Sequence, residues 1–90
     1  MNEEVEKLAC FIMEHFNLEG AQPGFIENQA KLASYMKQED QKLLPDAVKV
    51  LVTRGHIIIS PDPRDPSNNF LSLTEEGYNS LSRLRDTQGV

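Results

Sequence analysis

Residues 56–77 read HIIISPDPRDPSNNFLSLTEEG, and their punctuation decides the fold. A short apolar run, Ile57–Ile59, meets a polar segment carrying Pro61, Pro63 and Pro66. A second apolar run, Phe70–Leu73, follows, and Thr74 then opens a new pattern. β-Branched and aromatic residues suit a pleated surface, whereas proline cannot donate to a ladder. The spacing predicts a strand, a loop over residues 61–69, and a second strand. Phe70, Leu71 and Leu73 would face Ile57–Ile59 in an antiparallel pair. Glu75 and Glu76 suit the first turn of a helix over about residues 75–86. Tyr78, Leu81 and Leu84 form its apolar stripe, and residues 86–90 are expected to fray.

Working back from this stretch, LLPDAVKVLVTRG (residues 43–55) reads as a helix. Pro45 suits its first position, Asp46 its first turn, and Gly55 a left-handed stop. QEDQK, residues 38–42, is polar and reads as a turn. Asn28 is a plausible N-cap for QAKLASYMK, residues 29–37, whose buried side would be Ala30, Leu32, Ala33 and Met36. GFI, residues 24–26, is a possible short strand, with Phe25 and Ile26 expected in the core. Farther back, Val5, Leu8, Ala9, Ile12 and Phe16 recur at helical spacing. Phe11 lies off that face, either exposed or covered by a neighbouring element.

The expected fold is therefore mainly α with a small β-hairpin. Three helices, a ribbon and a C-terminal helix in this order describe a winged helix-turn-helix. Its helix-turn-helix would span residues 28–54, its wing 56–73 and its C-terminal helix 75–86. The 90 residues allow one domain, residues 1–90.

From Gly55 to Gly77 the sequence resembles the MarR-like winged-helix regulators. DPRD (Asp62–Asp65) falls where that family carries its DPeD, and LTEEG (Leu73–Gly77) matches its helix entry without a gap. KLASYM and LPDAVKVLVTRG resemble the two helices of its helix-turn-helix. The resemblance covers roughly residues 26–85 and implies a DNA-binding transcription regulator acting as a homodimer. Two features depart from the family. Pro66 and Ser67 stand where it places cations, and this chain has little room for its extra dimerisation helices.

On a DNA-binding winged helix, the third helix lies in the major groove and the wing contacts the backbone. The exposed side of that helix is expected to carry Asp46, Lys49, Val50 and Thr53, with Arg54 at its end. Val48, Leu51 and Val52 would turn inward at least partly. The candidate DNA contacts are Lys37, Lys42, Lys49, Thr53, Arg54, Arg64 and Asn68. Lysines and arginines meet phosphate, and Thr53 suits a base edge. Against this stands a net charge of −5, since nucleic-acid binders usually carry a basic balance. The alternative is a winged-helix protein-interaction module, an adaptor or modulator without strong DNA binding.

Other classes find no support in the residues. No glycine-rich phosphate loop, nucleophile elbow or metal-ligand spacing is present, so neither an enzyme, a cofactor nor a metal is expected. No apolar run reaches the ~20 residues of a membrane span. The amino end is acidic and amphipathic rather than a secretory signal. The single cysteine, Cys10, cannot form an internal disulfide and fits a cytoplasmic protein. Glu3, Glu6 and Glu14 nearby disfavour a reactive thiolate. Double-stranded DNA is the expected partner, with a homodimer through the first and last helices.

Overall fold

The computed structural model describes residues 3–88, with side chains described through Arg83. These residues form a small α+β arrangement of four helices and a three-stranded antiparallel sheet. The order is α1 (Glu3–Leu18), β1 (Ile26–Asn28), α2 (Gln29–Ala33), α3 (Gln38–Thr53), β2 (Ile57–Asp62), β3 (Asp65–Leu73) and α4 (Glu75–Gln88). The expected stripe residue Leu84 has its side chain outside the described residues, as do Gly89 and Val90 altogether. Helix α4 runs to Gln88, past its expected end near 86.

The α1 stripe lies inside as its spacing required. Val5, Leu8, Ala9, Ile12, Met13 and Phe16 pack with Leu44, Ala47, Val48 and Leu51 of α3. Ala21, Leu32, Ile57, Leu71, Leu73 and Leu81 join them in the core. Full burial of each large apolar side chain contributes about 1.5–3 kcal/mol relative to exposure. Phe16 meets the half-buried Phe25 edge-to-face, with ring centroids 5.9 Å apart.

Helix α3 begins at Gln38, so QEDQK is its first turn and not a separate turn. The reason is tertiary. The Gln41 side chain donates to the carbonyls of Ala33 and Met36, tying the end of α2 to the start of α3. Helix α2 correspondingly stops at Ala33 rather than running to residue 37. Ser34, Tyr35 and Met36 close it with three-residue backbone hydrogen bonds. Leu32 is its buried residue, Ala33 and Met36 are half-buried, and Ala30 is exposed. Pro45 therefore lies inside a helix, not at its first position. Lacking an N–H, it leaves the Gln41 carbonyl without its usual donor.

The sheet order is β1-β3-β2. Ile57 pairs with Leu73 and Ile59 with Leu71, as expected, while Phe70 faces Ser60. Strand β1 adds Ile26 opposite Ser72 and Asn28 opposite Phe70. Alternation then turns Glu27 inward and Ile26 outward, so Ile26 is 61% exposed instead of in the core. The segment 61–69 is not one loop. Pairing continues through Pro61–Asn69 and Asp62–Asp65, with a register shift between them. Pro63 and Arg64 form the tip, and residues 66–68 bulge from β3. Proline is tolerated at these places, because β2 is an edge strand and a bulge needs no ladder donor. Two aspartates fold the tip. Asp62 accepts from the Arg64 N–H, and Asp65 accepts from the N–H and hydroxyl of Ser67.

The LTEEG stretch is the joint between hairpin and α4. Thr74 accepts from the Gly77 N–H at 3.0 Å and donates its hydroxyl proton to the Gly55 carbonyl. Its own N–H donates to the His56 carbonyl. Gly77 sits so close that a Cβ there would lie 2.3 Å from the His56 oxygen. Gly55, at φ 78°, ends α3 in the left-handed conformation expected of it.

Candidate nucleic-acid interface

Helix α3 buries one face and leaves the other open. Lys42, Asp46, Lys49 and Thr53 are all exposed. Their spacing of four, three and four residues puts them within about 60° of arc at ~100° per residue. Pro45 and Val52 are exposed beside them. Val52, expected to turn inward at least partly, is 38% exposed, whereas Val50, expected on the open face, packs partly against the core. The buried face of α3 runs through Leu44, Ala47, Val48 and Leu51, and Val50 and Val52 lie on its two margins. Lys42, Asp46 and Lys49 make no ion pair or hydrogen bond among the described residues.

The remaining candidates are dispersed. Lys37 is exposed at the N-cap position of α3, where its side chain makes no capping hydrogen bond. Arg64 is exposed at the tip of the β2–β3 hairpin. Arg54 closes α3 but turns to α1, where its guanidinium pairs with the Glu6 carboxylate. It lines a small cleft of about 240 Å³ with Cys10, Met13, His56 and Ser80.

Asn68 is buried, at 8% exposure, and its amide is fully engaged. The side-chain oxygen accepts from the Ala30 N–H, and the nitrogen donates to Asn28 and Asp62. It joins β3 to the start of α2, where Asn28 also accepts from the Lys31 N–H as the expected N-cap. Its side chain is therefore not offered to a ligand. Asp62 benefits from this arrangement. The Arg64 N–H hydrogen bond, helped by the Asn68 amide, holds its carboxyl below the ordinary aspartate value against partial desolvation.

One pair escaped the sequence reading. His15 at the end of α1 and Glu27 in β1 meet at 2.7 Å, with side chains 13% and 7% exposed. Glu27 also accepts from the Asn28 N–H. The His15 ring lies against Tyr35 and Phe16. The inward position of Glu27 on an alternating strand is the one signal for it.

Phe11 is open to solvent at 41% exposure. With Tyr35, Met36 and Leu43 it lines a groove of about 460 Å³, edged by Lys7, Lys37, Glu39 and Asp40. No described helix is long and apolar enough to cross a membrane.

Comparison with protein-family models, curated proteins and solved structures returned no match.

Proposed function

We propose that the chain is a winged helix-turn-helix protein that binds double-stranded DNA and regulates transcription in the cytoplasm, in the manner of the MarR-like regulators it resembles. In this reading α2 and α3 are the helix-turn-helix, and the β2–β3 hairpin is the wing. The element order, with β1 closing the sheet beside the hairpin, supports the architecture. The observation that carries the function is the unpaired stripe of Lys42, Lys49 and Thr53 on the exposed face of α3. Such a stripe supplies phosphate contacts on a helix that enters the major groove. Lys37 and Arg64 add backbone contacts at the start of α3 and at the wing tip. Arg54, held by Glu6, is a lesser contributor. A homodimer through α1 and α4 would present two such helices to a pseudo-palindrome.

Fluorescence anisotropy with labelled genomic fragments tests this at low salt. Binding should weaken steeply as salt rises, because phosphate contacts release counterions. Replacing Lys42 and Lys49 together by alanine should weaken binding about tenfold or more while leaving the melting temperature unchanged. Binding that ignores both salt and these lysines would remove α3 from the reading role.

The groove at Phe11 and Tyr35 favours a second reading, a protein-interaction module that uses this groove. The acidic balance agrees with it. A stoichiometric protein partner lost on Phe11→Glu, together with no DNA binding, would establish that reading instead.

A further inference from the structure

We propose that Asp46 is a base-reading residue whose carboxylate accepts a hydrogen bond from the N4 amino group of a cytosine in the major groove. The inference rests on the DNA-binding reading of α3.

Asp46 has lost its structural explanation. A helix beginning near residue 43 would have placed it in the first turn, where a negative charge is favoured. With Gln38 as the first residue of α3, Asp46 is the ninth. The macrodipole effect fades within the first turn, so it no longer accounts for this carboxylate. Aspartate is also a weak helix former in such an interior position. The side chain is exposed, and it pairs neither with Lys42, four residues before, nor with Lys49, three residues after. Among the described residues no side chain pairs with it.

On a surface that meets phosphate, an idle carboxylate only weakens binding. It becomes favourable where the DNA offers a donor. In the major groove, guanine presents two acceptors, and thymine an acceptor and a methyl group. Cytosine presents a single amino donor, which suits a group that only accepts. Adenine pairs its amino donor with the N7 acceptor, an arrangement better served by asparagine. Lys42 and Lys49 flank Asp46 on the same stripe, so they can hold phosphates while the carboxylate between them reaches a base edge.

The test is selection from a random duplex pool at low salt, followed by titration of the best site and its single-base variants. Wild type, Asp46→Ala and Asp46→Asn are compared. Wild type should require cytosine at one position, by roughly ten- to a hundredfold over other bases. Asp46→Ala should keep the preferences elsewhere and lose this one. Asp46→Asn should move the preference there to adenine. If Asp46→Ala binds DNA and selects the same base at every position, the inference is overturned while the DNA reading stands. If wild type binds no duplex, the DNA reading fails and takes the inference with it. Both substitutions fall on an exposed helical position, and circular dichroism checks that the variants stay folded.

Discussion

The joint at Thr74–Gly77 and the open face of α3 are opposites in how they use sequence. At the joint every marked residue has a structural task. Thr74 caps α4 and holds the Gly55 carbonyl, while Gly77 makes room for the His56 backbone. On the open face of α3, Pro45 leaves the Gln41 carbonyl without its usual donor, and the Asp46 side chain makes no pair among the described residues. Hydrogen bonding and packing account for Thr74 and Gly77 in the first region and for little in the second. A residue that costs stability and serves no contact is a marker of selection for something outside the fold.

The sharpest way to break this contrast is Gly77→Ala. The new Cβ would meet main chain, not a flexible side chain, so the joint must shift. A loss of about 3 kcal/mol is expected, read from the urea midpoint. A loss below about 0.5 kcal/mol would mean that the joint is not tightly packed. Next comes Asn68→Ala, which strips three hydrogen bonds from the bulge that ties β3 to the start of α2. About 2 kcal/mol should be lost, because the Ala30 N–H and its neighbours are left unmatched. The open face of α3 should respond with the opposite sign. Pro45→Ala restores an intrahelical donor and is expected to stabilise by about 2 kcal/mol, raising the melting temperature. A destabilised Pro45→Ala protein would show that the proline does have a structural task.

The smallest effect concerns pH. Asp62 has a lowered native carboxyl value, so its contribution is present above the ordinary aspartate value. It is lost as pH falls through the lower native one. Carboxyl NMR should place its midpoint below 3.8, and Asn68→Ala should move it upward. An unchanged midpoint in that variant would leave the Arg64 N–H as its main support.

Local signals made much of the fold legible. The α1 stripe, the Asn28 cap, the Gly55 stop and the pairing of Ile57 with Leu73 each rest on a few neighbouring residues. The start of α3 was not legible, because its polar first turn is fixed by Gln41 reaching back to α2. Nor was the pairing of Glu27 with His15, which lies across the loop between α1 and β1. The site was legible in part. Lys49 and Thr53 share a stripe that periodicity alone arranges, whereas Lys42 joins it only because α3 begins at Gln38 and not after a turn. Arg54 and Asn68 were diverted by Glu6 and Ala30, partners far away in sequence.

The outermost position of β2 has a consequence for how the protein behaves in concentrated solution. Among the described residues no strand pairs with its outer edge, and its Ile58 and Ile59 are 59% and 37% exposed. An apolar edge of this kind is a template for joining further strands, the first step towards fibrous aggregates. Pro61 interrupts the run two residues after Ile59 and cannot donate to an incoming chain. The same proline that shapes the approach to the hairpin tip thus acts as a gatekeeper against polymerisation.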